Sequence, residues 1–381
     1  MSTLRNSRET ILLALSITCL LPVTAFAHVK WFAPYIVGAR PEPISDTTKD
    51  PWFWVGIGLV LVFFIATRLV EKSKFGEIAI AGLNTATAPL WNRQDEYIRA
   101  IIAAFFVAIF AVGGVYLTPD LKTPAEWVSW MQLLIACCIF SRRTMPIAGV
   151  GIIALWVLAL RDYDLFHLFD YLALGLGVAG YLLLEPLKNE NLRARRFEAL
   201  RWGLAIALMW SSLEKFAFPS WFYPLVVEKP FLTFGMPRDV FIPMAGVTEF
   251  TLGFGLLWTP LIRRLSAIAL LIIFTAAVWP FGRVDLIGHG LIMAILFAVA
   301  ADQRSGVDLF TVFKRKLTNI PVGLAVVLVV FCTAYWGLHT AFYGADGYIA
   351  VDDASKTTHS FDPDHPHGPE GHGEAGALPH K

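Results

Sequence analysis

Charge is what this sequence has least of. Only 16% of its 381 residues are Asp, Glu, Lys or Arg, against 56% hydrophobic residues and a mean hydropathy of +0.59. A soluble globular chain carries about a quarter charged residues, so an ordinary soluble domain is excluded. In a bilayer, a chain of this length supplies about ten spans with short connectors. Positive charge is not in excess either: 31 basic residues face 30 acidic ones, net +1. That argues against nucleic acid as a partner, because binding a phosphate backbone needs clustered basic charge. Cysteine is scarce. Of the four, Cys19 lies in a leader and Cys137, Cys138 and Cys332 in apolar runs, which excludes a disulfide framework. Adjacent Cys137 and Cys138 read as small core residues. No GxSxG elbow, phosphate-binding glycine loop, CxxC pair or haem-attachment motif is present, so a self-contained enzyme is not supported.

What is present begins with a secretory signal. Arg5 and Arg8 precede the apolar run Ile11 to Leu21, then Pro22 and the small-residue sequence Ala25-Phe26-Ala27, the anatomy of a bacterial leader occupying 1–27. Cleavage after Ala27 makes His28 the first residue of the mature chain. The domains expected beyond it are a periplasmic segment over 28–50, a first transmembrane helix and cytoplasmic loop over 51–97, and a four-helix unit over 98–184. A basic cytoplasmic loop over 185–200, a second four-helix unit over 201–301, a loop and last transmembrane helix over 302–338 and a disordered periplasmic tail over 339–381 complete the chain. With an outside start, the clusters Arg68/Lys72/Lys74/Arg93, Arg142/Arg143, Lys188/Arg193/Arg195/Arg196, Arg263/Arg264 and Lys314/Arg315/Lys316 all fall on the cytoplasmic side, as the positive-inside rule requires. Trp52, Trp54, Trp127, Trp130 and Trp221 are expected as interfacial anchors near span ends. The fold class expected is an all-α polytopic protein of the bacterial inner membrane with both mature termini in the periplasm.

In this topology all nine histidines come to the outer face. The tail presents His365, His367 and His372 among Asp, Glu, Gly and Pro, a composition that cannot fold alone and whose imidazoles suit copper or zinc. The amine and imidazole of an N-terminal His28 can chelate one ion together and need only a further nitrogen from His167, His289 or His339.

An internal duplication is visible. Arg142-Arg143 and Arg263-Arg264 each open a span that reaches an aspartate, Asp164 or Asp285, followed by a histidine, His167 or His289. The spans of 98–184 and 201–301 thus read as parallel repeats. In the second copy Arg201-Trp202-Gly203-Leu204, Glu214-Lys215, Pro219, Gly246, Glu249, Gly253, Gly255, Arg263-Arg264, Asp285 and Gly288-His289 together resemble the DoxX-like family of four-helix membrane proteins, over about 197–301. That resemblance implies a connection with membrane redox systems, including a thiosulfate:quinone oxidoreductase, without fixing a reaction. The extra spans, histidine start and histidine-rich tail depart from a minimal member.

Polar groups inside hydrocarbon are costly, which makes them functional candidates. Glu214 lies deep in one span and Glu249 in the next, and together with Asp285 and His289 they form the expected ligand or proton site. Glu214 is expected to meet Glu249, Asp285, Arg283 or His289 from neighbouring spans, while Lys215 snorkels to the surface. His167 and Asp170, three apart, allow a carboxylate to orient an imidazole on a metal. Three readings follow. One is an outer-face protein that binds or transfers copper or zinc through His28, His167, His289, His339 and the tail histidines, with a periplasmic metal carrier as partner. Another is a quinone-linked subunit of an oxidoreductase, with Glu214, Glu249 and His289 at the headgroup. The third is a structural scaffold.

Overall fold

The computed structural model describes residues 30, 35–304, 317–347 and 358–359, and is mostly helical. The long elements are α1 (Pro51–Glu71), α2 (Lys74–Asn92), α3 (Gln94–Val112), α4 (Trp127–Cys138), α5 (Met145–Ala159), α6 (Leu165–Leu184), α7 (Arg196–Ser212), α8 (Arg238–Gly255), α9 (Pro260–Trp279), α10 (Phe281–Ala300) and α11 (Asn319–Tyr343). Tyr35–Ile36 pairs antiparallel with Thr358–His359 over two residues. Local chemistry sets the ends. Asp50 caps α1 through Trp52 N with Pro51 at the first position, Ser73 caps α2 and Asp164 caps α6 through His167 N, each satisfying an amide that the helix leaves orphaned. Gly113, at φ 72°, stops α3.

Five helices, α1, α6, α9, α10 and α11, are long and apolar enough to cross a membrane. Large apolar side chains stand exposed on them and their neighbours, among them Val62, Phe140, Val329 and Trp279, the last 91% exposed, while Asp170, Glu214, Lys215, Glu249 and Asp285 are buried. A surface of that kind beside a polar interior suits a lipid surround. α4 and α5 are apolar but short, about 18 and 22 Å at 1.5 Å per residue.

α9 and α10 run on as one helical stretch, Pro260–Ala300, interrupted at Gly282 (φ 70°, ψ −145°). Unbroken, it would be about 60 Å long. Yet Arg264 Nε donates to Ala300 O at 2.7 Å and the Phe274 and His289 rings lie 4.7 Å apart, so the chain reverses at Gly282. Glycine reaches this positive φ without the Cβ penalty.

The helices close into a ring. α3 packs on α4, α4 on α5, α5 on α6, α6 on α7, α7 on α8 and α8 on α9. α10 returns to α3, where Tyr97 OH donates to Ala294 O at 3.3 Å. The seam between the halves is α6 on α7, where a Cβ on Gly203 would stand 2.6 Å from the Cα of Gly177 and from Ala173 O. Small residues allow that backbone approach. α1 lies outside against α8, with Gly56 on Val247, and α11 caps α6 and α7, with Tyr335 between Phe166 and Trp210.

The expectations meet several local differences: Cys137, read as a core residue, is exposed, and α11 runs on to Tyr343, past the expected end at 338. Residues 74–92, read as loop, form α2, and Trp221, read as an interfacial anchor, is buried and stacked on Phe218 at 4.2 Å. Trp52, Trp54, Trp127 and Trp130 are exposed.

Candidate functional site

One end of the ring carries the described histidines and is called here the histidine end; the opposite one is the arginine end. A cavity of about 100 Å³ opens inside the ring toward the histidine end. Both halves line it: Phe105, Phe106 and Ile152 with Asp170 and Tyr171 from the first, Ser211, Glu214, Lys215, Glu249 and His289 from the second. Most of its wall is apolar, and its polar groups come from both halves. That is the form of a ligand pocket.

Three buried ion pairs involve these polar groups. Lys215 Nζ donates to Glu249 Oε2 at 2.6 Å, and Ser211 Oγ donates to the other carboxylate oxygen at 3.4 Å. Lys215 also lies over the Phe222 ring at 5.1 Å. Adjacent Glu214 points elsewhere, as residues one apart on a helix must. Its carboxylate meets Lys30 Nζ at 2.5 Å, and Lys30 also donates to Asp170 Oδ2. Asp170 takes a second bond from Trp210 Nε1 at 2.9 Å. Burial lowers the Lys30 pKa, but Asp170 and Glu214 outweigh it and hold the ammonium above its ordinary value. Tyr35 and Trp221 flank the ammonium at 5.4 and 5.7 Å.

His289 Nδ1 lies 3.0 Å from Asp285 Oδ1, one helical turn away, so the aspartate orients the imidazole. His289 faces the cavity and Asp285 stands behind it. Asp285 Oδ2 is buried with no hydrogen-bond partner among the described residues. The first copy builds something different: Asp164 caps its helix and accepts from Tyr343 OH, and His167 meets Tyr35 OH at 3.2 Å through Nε2. Above them, Asp120 accepts from Tyr171 OH and Thr118 Oγ1. Burial raises its pKa although those bonds and Lys30 act the other way.

Of the expected site residues, Glu214, Glu249 and His289 line one cavity, with Asp285 directly behind. The expected partners of Glu214 are replaced by Lys30, and Lys215 is buried on Glu249 rather than snorkelling. Arg283 is exposed. His167 lies off the cavity and is not held by Asp170, whose partners are Lys30 and Trp210. His339 is packed between Phe166 and Tyr343 with Nε2 3.1 Å from Val37 O. Among the described residues no three His, Cys, Asp or Glu side chains gather as a metal-ligand set. His28, His365, His367 and His372 lie outside the described residues. Sequence reasoning missed Lys30, Tyr171 and Trp210 as site members. Asp170 carried a signal as an acidic residue in an apolar run; a lysine near the leader carried none.

Scans against protein-family models, curated proteins and solved structures find nothing that matches the chain.

Proposed function

We propose that this chain is the membrane subunit of an oxidoreductase system and that its cavity takes the headgroup of a quinone. The observation that carries this reading is a mostly apolar cavity between two helical units into which Lys215, Glu249, His289 and Ser211 bring hydrogen-bonding groups. A quinone has matching chemistry, with carbonyl oxygens that accept hydrogen bonds on an apolar ring and tail. The cavity is on the scale of a single ring.

Reduction of a quinone to a quinol takes up two electrons and two protons. In this proposal a partner subunit supplies the electrons, and the chain supplies hydrogen bonds and protons. The Lys215 ammonium and the His289 imidazole donate to the carbonyl oxygens, and Asp285 stabilises the protonated imidazole before it hands on its proton. Glu249, held between Lys215 and Ser211, is the second group able to exchange a proton with the cavity. The membrane placement belongs to the same proposal: about ten spans in a bacterial inner membrane, two parallel DoxX-like units over 98–184 and 201–301, and the histidine end facing the periplasm. The sidedness is supported by the basic clusters, Arg142, Arg193, Arg196, Arg263 and Arg264, which share the other end.

The test is quinone affinity in nanodiscs. Glu249→Gln and His289→Asn are expected to weaken binding of a short-tailed ubiquinone by about tenfold or more each, equivalent to about 1.4 kcal/mol. Unchanged affinity in both variants overturns the reading.

A further inference from the structure

At the arginine end, three guanidiniums converge on a single carboxylate, with a fourth beside them. Asp302 Oδ2 accepts from Arg201 Nη1 at 2.9 Å and lies 3.3 Å from Arg263 Nε. Asp302 Oδ1 takes Arg304 N and Nε at 3.0 and 3.2 Å. Arg263 Nη2 donates to Arg304 O at 2.6 Å. Arg264, beside them, has neutral partners: Ala300 O, Asn84 Oδ1 and Thr87 Oγ1 at 2.7, 2.5 and 2.9 Å. Arg201, Arg263, Arg264 and Asp302 are all 2% exposed or less. Glu71 is committed to Arg68 at 2.6 Å and to Leu261 N at 3.2 Å, and Glu198 is exposed. Residues 305–316 carry one acidic and three basic side chains, so the neighbouring sequence adds no net negative charge.

A buried lysine could shed its proton to escape such an imbalance; an arginine cannot. Buried charge is tolerated when it is paired. Two further atoms show where pairing is incomplete: Arg263 Nη1 and Arg201 Nε are buried without a hydrogen-bond partner among the described residues. Arg304 leads from these atoms toward solvent, its side chain 29% exposed and its guanidinium stacked 4.2 Å from Phe197 and 5.3 Å from Trp91. α2 lies alongside, tied down by Gln303 Nε2 on Asn84 O at 2.9 Å.

We propose that this end holds a phosphate-bearing anion between Arg201, Arg263 and Arg304. Its charge and tetrahedral array of acceptor oxygens match several guanidinium forks at once. The source is the headgroup of an anionic lipid, which basic pockets between membrane helices bind, or free phosphate. The site is independent of the quinone reading.

Full-length protein, stripped of lipid in detergent, is titrated with phosphatidylglycerol or phosphatidylcholine and read by native mass spectrometry. Unfolding temperature is followed in parallel with inorganic phosphate. The wild type is expected to retain one phosphatidylglycerol about tenfold more readily than phosphatidylcholine, and Arg304→Gln and Arg263→Gln to remove that preference. Phosphate that raises the unfolding temperature of the wild type but not of Arg304→Gln, with no lipid preference, identifies free phosphate as the source. Equal retention of both lipids together with no phosphate effect, or preferences that persist in Arg304→Gln, overturns the proposal. Should Arg263→Gln fail to fold, the partly exposed Arg304 carries the test.

Discussion

The two ends of the helix ring bury charge in opposite ways. At the histidine end, Asp170, Glu214, Glu249 and Asp285 outnumber Lys30 and Lys215. At the arginine end, Arg201, Arg263, Arg264 and Arg304 outnumber Asp302. The difference lies in what each excess can do. Carboxylates and imidazoles are groups that can gain or lose a proton, so the histidine end can exchange protons with a ligand. Guanidiniums stay charged, so the arginine end is a fixed electrostatic fixture that requires a counter-anion. The cavity lined by Glu214, Lys215, Glu249 and His289 fits the reactive role of the first end.

Substitutions can break or sharpen this contrast. Asp302→Asn removes the carboxylate from Arg201, Arg263 and Arg304, three cations that cannot deprotonate, and is expected to cost about 3–5 kcal/mol in unfolding experiments; a loss under about 1 kcal/mol would show that the guanidiniums are balanced elsewhere. Lys30→Met leaves Asp170 and Glu214 without their cation, but these can protonate, so the loss is expected at about 1–3 kcal/mol and should shrink as pH falls. The wild type gives the matching alkaline signature. Because Lys30 is held above its ordinary value, its contribution is fully present below about pH 10.4 and is lost as pH rises through the folded-state value. The stability difference between wild type and Lys30→Met should therefore stay flat from neutral pH to that point and then close.

Gly203→Ala tests the seam that holds the two halves around the cavity. Its Cβ would meet backbone atoms at 2.6 Å, which no rotamer relieves, and about 1–2 kcal/mol is expected with a loosened cavity. The smallest effect belongs to Asp95, bonded to Arg196 at 2.7 and 2.8 Å and to Tyr181 at 2.9 Å. Burial pushes its pKa up, but the Arg196 guanidinium prevails and holds the carboxyl below its ordinary range. Its contribution is present above that range and lost as pH falls through the folded value. Partly exposed, it is expected to give about 0.5–1 kcal/mol, removed by Asp95→Asn and measured as the difference in unfolding between pH 7 and pH 3. Acid thus loosens the arginine end through Asp95, and strong alkali the histidine end through Lys30.

Much of the helical order was legible because apolar runs separated by basic clusters are the strongest signal a membrane sequence carries. α6 begins directly after Asp164 and α9 after Thr259, the chain reverses at Gly282, and α11 runs to Tyr343, past the end expected at 338. α2 was not legible as a helix: its Gly76, Gly82, Asn84 and Pro89 dilute the apolar pattern, and its placement depends on Arg264 and Gln303 from far along the chain. Among site residues, Glu214, Glu249 and His289 stood out because ionisable groups in apolar runs demand a reason. Their partners did not. Lys30 is 140 residues from Asp170, and such pairing has no local signature. Lys215 was misread because proximity to Pro219 suggests a surface, whereas the chain after α7 folds inward and buries it.

The central claim is that the polar groups of the ring cavity hold a quinone headgroup. Photoaffinity labelling with an azido-quinone in nanodiscs, followed by peptide mapping, tests it most directly. The account predicts label within 207–215 and 288–292, competed by unlabelled quinone and lost in Glu249→Gln. Label confined to other helices, or label in those segments that competition leaves unchanged, would contradict it.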